Sequence, residues 1–334
     1  MTGAAPERAT ERLGVASGDI ARAATILRAG GLVGFPTETV YGLGADARNA
    51  HAVAALYGAK ERPSFNPLIA HLATADAALL EGRFDADASR LAQAFWPGPL
   101  TLVVPVSDTS TVSDLARAGL DSVGLRVPAH PVATALLAAC GFPVVAPSAN
   151  RSGRISPTDA EHVLGDLDGR IDAVLQGGST EVGVESTIVA CLGGRPRLLR
   201  PGGVPREALE AMLGQALDEA GSSGDRPLAP GALASHYAPR AMVRLGAVEV
   251  RSGEAALSFG QDLPGEAVAR LNLSPAGDPT EGAANLFGYL RRLDAAGPTT
   301  IAVGPIPDGG LGEAINDRLR RAAADRDGIV TSSA

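Results

Sequence analysis

Apolar positions along this chain follow two spacings, and the first two-thirds switch between them repeatedly. Helical spacing after Asp19, read as a cap, predicts a helix to Leu27 that stops at Gly30-Gly31, and residues 32–35 predict a short buried strand. Asn49 opens a second predicted helix, HAVAALYGAK, and residues 68–72 (LIAHL) the next strand. Helices near 75–80 and 86–95 lead to the turn Trp96-Pro97-Gly98-Pro99 and the strand LTLVVPV. The pattern then predicts a strand over 122–128, the helix VATALLAAC, a strand over 143–149 and a helix near 158–167. Strands follow around 173–177, 185–192 and 196–200, and Pro205 starts a helix to about Leu213. Several strands have no helix between them, so the expected fold is α/β with a twisted mixed sheet and flanking helices.

From about 214 to 240 the periodicity fades into Gly, Ser, Pro and Ala, as expected for a linker outside any regular element. Beyond it AMVRL, AALSF, ARLNL and TTIAVGPI read as strands, and AANLFGYLRRLDAAG and INDRLRRAAA as helices. The expected organisation is a disordered lead over 1–14, a catalytic domain over 15–213, a linker or lid over 214–240 and a small α/β domain over 241–334, with a frayed end from about 324. A length of 334 residues suits two domains.

Composition narrows the classes. No apolar run is long enough to span a membrane, and the N-terminus carries acidic residues and no apolar signal core, so a cytoplasmic protein is expected. Cys140 and Cys191 lie in apolar runs and read as buried hydrophobes of a reducing compartment. A net charge of -8 argues against a broad nucleic-acid surface. Of 29 basic residues one is lysine, Lys60, leaving 28 arginines. That bias makes the retained compact ammonium informative.

Three clusters place polar residues at strand ends, where α/β proteins build sites. Thr37, Glu38 and Thr39 precede Tyr41-Gly42-Leu43-Gly44, whose glycines permit close backbone approach. Lys60 and Arg62 flank Glu61 ahead of Pro63, Asn66 and Pro67; on extended chain both cations would project to one side, which suits a polyphosphate between them. A charged, solvated loop is the plainer explanation of that segment, as a satisfied core histidine is for His71. Ser148, Asn150, Ser156 and Thr158 end another strand, and Ser156 or Thr158 can cap the next helix.

Together FPTETVYGLG, KERPSFNPL, FWPGPLT, GLRVP, APSAN, SPT, ESTI and LLRPG resemble the YrdC-like domain of L-threonylcarbamoyladenylate synthases, over about residues 15–213. K-x-R (Lys60, Arg62) and S-x-N (Ser148, Asn150) are that family's signature. SHYAP and GLGEAINDRLRRAA resemble its two-domain form. The resemblance implies condensation of L-threonine, bicarbonate and ATP into threonylcarbamoyl-AMP with release of pyrophosphate, for N6-threonylcarbamoyladenosine modification of tRNA. It implies ATP contacts at Lys60, Arg62, Asn66, Ser122, Ser148, Asn150, Ser156 and Arg200, with Lys60 and Arg62 as the catalytic cations, and threonine contacts at Thr39, His71, Arg126, the backbone of Ala146, and Ser186. His236 and Tyr237 would close over the nucleotide as a lid. Magnesium is expected on the ATP phosphates and no all-protein metal cage. A transient contact with the threonylcarbamoyl transferase complex is expected, with direct tRNA binding weak or absent. Two other readings compete: a carbamoyl transferase of the hydrogenase-maturation type, whose extra cysteine-bearing regions are missing here, and a non-catalytic double-stranded-RNA module, which the net charge disfavours.

Overall fold

A computed structural model describes residues 9–219, 228 and 236–324. The chain divides into two compact units, Met1–Ser152 with Ser156–Ala232, and Gly153–Ile155 with Leu233–Ala334.

In chain order the first unit contains β1 (Glu11–Leu13), α1 (Ser17–Arg28), β2 (Val33–Pro36), β3 (Tyr41–Asp46), α2 (Ala50–Lys60), β4 (Ile69–His71), α3 (Ala75–Glu81), α4 (Ala86–Phe95), β5 (Leu100–Pro105), β6 (Ser122–Arg126), α5 (Pro131–Cys140), β7 (Val144–Val145), α6 (Ala160–Leu167), β8 (Ala173–Leu175), β9 (Thr187–Ala190), β10 (Arg197–Arg200), α7 (Arg206–Leu213) and β11 (Asp218–Glu219). Its strands form one sheet ordered β1-β8-β2-β3-β7-β4-β6-β5-β9-β10-β11. Parallel pairs such as β4 with β6 alternate with antiparallel pairs such as β2 with β3, so the sheet is mixed as expected. Neighbouring residues on one strand point to opposite faces. Val144 accordingly joins an apolar cluster with Leu27 of α1 and Leu137 of α5, while Val145 joins a second with Leu56 of α2 and Leu91 of α4. Helices therefore cover both faces, and polar side chains collect at strand ends.

Several local expectations are corrected. Glu11–Leu13, placed in a disordered lead, pair in parallel with β8. Asp218–Glu219, placed in the linker, pair with β10; most of the remaining linker lies outside the described residues. Asp19 is not the first cap: Ala16 is, and the Asp19 carboxylate reaches back from the first turn to accept the Ala16 N–H at 3.2 Å. Asp159, and neither Ser156 nor Thr158, caps α6 by accepting from the His162 N–H. Residues 143–149 give only the two-residue strand β7, because Pro147 has no N–H to continue the ladder. Tyr41-Gly42-Leu43-Gly44, read as a permissive stretch, is itself strand: β3 returns antiparallel to β2, and a Cβ on Gly42 would meet that of Ala146 at 3.0 Å.

The second unit contains β12 (Met242–Arg244), β13 (Glu254–Ser258), β14 (Arg270–Asn272), α8 (Pro279–Ala295), β15 (Thr300–Val303) and α9 (Gly312–Ala323). Its four strands are parallel, in the order β12-β15-β13-β14. Both helices start earlier than their apolar spacing suggests. Asp278 caps α8 ahead of Pro279, and Gly312 lets the start of α9 lie against the Pro307 carbonyl, where a Cβ would clash.

Candidate functional site

The K-x-R pair is not on extended chain. Lys60 is the last residue of α2, and Glu61 after it takes the left-handed conformation with φ 53°. The helix end delivers Lys60 into the interior, where it is 1% exposed and its ammonium donates to the Ser148 and Asn150 carbonyls. One hydrogen-bonded ammonium thus joins the K-x-R segment to the S-x-N strand end, and the Ser152 N–H returns to the Lys60 carbonyl at 2.8 Å. Burial, and after it the nearby Arg62, hold Lys60 well below its ordinary value, opposed by Asp166. Outside, Glu61 pairs with Arg151 at 2.6 Å and Arg170 at 2.8 Å, tying the same turn to the segment after Asn150.

Arg62 is buried and its guanidinium donates to the Pro67 carbonyl at 3.3 Å and more weakly to that of Asn66 at 3.5 Å. Tyr57 of α2 donates to the Asn66 carbonyl at 3.0 Å. The Asn66 side-chain oxygen is buried and accepts no hydrogen bond among the described residues. Asn150 donates to the Arg151 carbonyl at 2.8 Å, and Ser148 bridges Gly42 of β3.

The residues expected to hold the amino acid also converge. His71 and Arg126 are partners in the β4–β6 register, and the Ala146 N–H donates to Ile69 at 3.1 Å beside them. Burial first, then Arg126, push His71 down to about 3, so its imidazole is neutral; Nδ1 lies 3.2 Å from the Ile69 carbonyl. Thr39 is fully buried, with its hydroxyl 2.8 Å from that of Thr37. Arg126 lies 2.8 Å from the Glu38 carboxylate, and its Nε donates to Gly98 at 3.4 Å. Residue 99 carries the site onward, since the Pro99 carbonyl accepts from the Thr187 N–H at 2.9 Å. Ser186 accepts from Arg200 and shares a 2.8 Å hydrogen bond with Thr101, so a residue expected on the nucleotide and one expected on threonine touch directly. Ser156 donates to the Glu185 carboxylate. Ser122 opens β6 four residues before Arg126, at the far end of that strand, and among the described residues none of its side-chain bonds reaches the others.

His236 and Tyr237 belong to the second unit. Tyr237, φ 62°, has its ring between Phe287, at 5.5 Å between centroids, and the Arg318 guanidinium, at 5.3 Å. Two residues to which the sequence gives no role stand inside the constellation: Glu38, through Arg126, and Glu185, through Ser156. A carboxylate between two threonines at a strand end was the available signal for Glu38. Nothing marked Glu185, whose partner lies 29 residues away. Among the described residues no helix is long and apolar enough to cross a membrane.

Residues 25–202 match the family model described as Telomere recombination, and residues 204–324 match Threonylcarbamoyl-AMP synthase, C-terminal domain. The chain is 41% identical to the threonylcarbamoyl-AMP synthase of Bacillus subtilis over 95% of its own length and 96% of the relative's. It is 36% identical to that of Schizosaccharomyces pombe, covering 87% and 85%. The crystal structure of P. abyssi Sua5 complexed with L-threonine superposes with a TM-score of 0.87 at 38% identity, covering 94% of this chain and 98% of that one.

Proposed function

This chain belongs to the threonylcarbamoyl-AMP synthase family, and we propose that the buried cations of its first unit hold the reactants while a carbamate is joined to the α-phosphate of ATP. It is a nucleotidyltransferase whose product is threonylcarbamoyl-AMP, the donor for threonylcarbamoyladenosine in tRNA. L-Threonine is the amino acid consumed, and bicarbonate supplies the carbon. The amine and bicarbonate give a carbamate and water; a carbamate oxygen then bonds to the α-phosphorus as the bond to the β-phosphate oxygen breaks and pyrophosphate leaves. Attacker and target are both anions, so fixed positive charge in a water-poor site lowers the barrier more than a general base would.

The observation carrying this reading is the Lys60 side-chain nitrogen, buried on the Ser148 and Asn150 carbonyls, because it ties the two signature segments together. Lys60 and Arg62 are assigned to the phosphates, with Asn66, Ser122, Ser148, Asn150, Ser156 and Arg200 on the nucleotide. Arg126 is assigned to the threonine carboxylate, with Thr39, His71, the Ala146 backbone and Ser186 around it. Neutral His71 suits a substrate hydroxyl, since it adds no charge beside Arg126. His236 and Tyr237 are assigned to ATP as a lid; within the second unit the Tyr237 ring packs between Phe287 and Arg318. Among the described residues no group of three or more His, Cys, Asp or Glu is placed to hold a metal. Magnesium would arrive on the ATP phosphates with water completing its shell, offsetting their charge. The labile product favours direct hand-over to a transferase complex in the cytoplasm.

Pyrophosphate release from ATP should require both threonine and bicarbonate, and Lys60→Arg, which keeps the charge but forks it, should slow that release at least tenfold. Release without threonine would sink the assignment. Full turnover in the variant would remove Lys60 from it.

A further inference from the structure

Glu38 is 7% exposed and Arg126 4%. Their 2.8 Å approach compensates charge, yet neither Glu38 oxygen accepts an aligned hydrogen bond among the described residues, and Arg126 Nη2 donates none. Buried carboxylates and guanidiniums are normally satisfied in full, since an unmade bond to a desolvated charged group is expensive. Here the two groups meet at 2.8 Å without an aligned hydrogen bond, and the second Glu38 oxygen accepts none among the described residues. The fork that remains on Arg126 fits a carboxylate, and the open carboxylate of Glu38 fits a group rich in N–H donors. An α-amino acid carries both complements on one carbon.

We propose that Glu38 and Arg126 form a receptor for the zwitterionic head of threonine, with Glu38 receiving the α-ammonium beside the carboxylate held by Arg126. The proposal rests on the assignment of the threonine carboxylate to Arg126. Electrostatics favour it. The empty pair is neutral, the zwitterion is neutral, and their union puts no net charge into the interior, whereas an ammonium buried against Arg126 alone would repel it. The remaining titratable neighbours do not supply the missing anion. His71 is held neutral, and His130, which feels Glu38, is lowered by burial and accepts the Val132 N–H at 3.2 Å as a helix cap. Thr37 and Thr39, flanking Glu38, spend hydroxyl bonds on each other and on the Val40 carbonyl. The carboxylate between them is thus the group left to read an amine, which would make Glu38 the residue separating α-amino acids from their hydroxy-acid counterparts.

Calorimetric titration of the full-length protein with L-threonine, and with the analogue carrying hydroxyl in place of the amine, tests this. The wild type should bind threonine at least tenfold more tightly than the analogue. Glu38→Gln should weaken threonine at least tenfold while the anionic analogue binds as tightly as before or more tightly and ATP is unaffected, so that the preference disappears. Arg126→Lys should weaken both amino acid and analogue. If Glu38→Gln bound threonine as tightly as the wild type, or more tightly because a competing carboxylate had gone, the proposal would be wrong. Equal wild-type affinity for the two ligands would overturn it without any variant, should Glu38→Gln fail to fold. If Arg126→Lys bound both ligands normally, the carboxylate assignment itself would fall, an outcome distinct from failure of Glu38 alone.

Discussion

His71 shows how one side chain ties the site to stability. It lies beside Arg126 in the sheet and is fully buried, so a proton on its ring would face both a desolvation penalty and a like charge. Folded, it stays neutral down to about pH 3; unfolded, it takes a proton near its ordinary 6.5. A depressed folded value means that the stabilising difference is fully present above 6.5 and is lost as pH falls from 6.5 towards about 3. The slope in that window is up to about 1.4 kcal/mol per pH unit. His71→Gln should remove it, so that between pH 6.5 and 5 the wild type loses roughly 2 kcal/mol more than the variant in denaturant titrations of the first unit. Parallel losses would mean that the folded ring accepts the proton. In the sequence, residue chemistry alone shows His71 as a polar residue in an apolar strand, and only the family resemblance gives it a threonine contact. What fixes its charge state is burial first and then the arginine on the adjacent strand, which lies 55 positions away and becomes a neighbour only through the register.

At the scale of elements, the apolar rhythm located most helices and strands, and what it missed was set by partners distant in sequence. β1 is too short to show a rhythm and exists because β8 offers it an edge. The K-x-R spacing looked like extended chain because two prolines follow it, whereas the helix runs on to Lys60 and turns at Glu61. The glycine of LLRPG is a further case. Gly202 follows β10, and a Cβ there would lie 2.3 Å from the Glu185 carbonyl oxygen and 2.5 Å from backbone atoms of Ser186 and Thr187. The residue is glycine because the backbone carrying Glu185 and Ser186 passes against it. Gly202→Ala should therefore displace that backbone and destabilise the first unit by roughly 1–3 kcal/mol, with loss of adenylate formation. Gly165, exposed in the middle of α6 with nothing within 4 Å of its absent Cβ, is the counter-case. Gly165→Ala should stabilise by about 0.5–1 kcal/mol and leave activity intact. Thermal melts of the two variants should move in opposite directions, and a harmless Gly202→Ala would contradict the packing described.

The whole molecule is less linear than its sequence. Gly153–Ile155 groups with the second unit although both of its chain neighbours, Ser152 and Ser156, belong to the first. Within the second unit the tripeptide is held at both ends: the Ala238 N–H donates to the Gly153 carbonyl at 2.9 Å, and Arg291 of α8 donates to the Ile155 carbonyl. The Ala238 contact follows directly on Tyr237, which is locked by Phe287 and by Arg318 of α9. The GLGEAINDRLRRAA motif, which suggested no reaction in the sequence, thus supplies through Arg318, itself fully buried, a wall for the tyrosine of SHYAP. No periodicity or composition signal could have assigned three residues of one segment to a unit that starts about eighty residues later, because the assignment lies in tertiary contacts and not in local pattern. Removing the charged donor should release the segment. Arg291→Met is expected to quicken amide exchange over residues 153–155 at least about tenfold, as a charge-assisted bond worth about 1.5–3 kcal/mol is lost, while exchange in the β2–β3 hairpin stays unchanged. The tripeptide leads covalently into Ser156, assigned to the nucleotide, so the same variant should raise the KM for ATP more than it lowers kcat. Unaltered exchange at 153–155 would show that the arginine does not hold the tripeptide, and altered exchange in β2–β3 that it acts more widely than through Ile155.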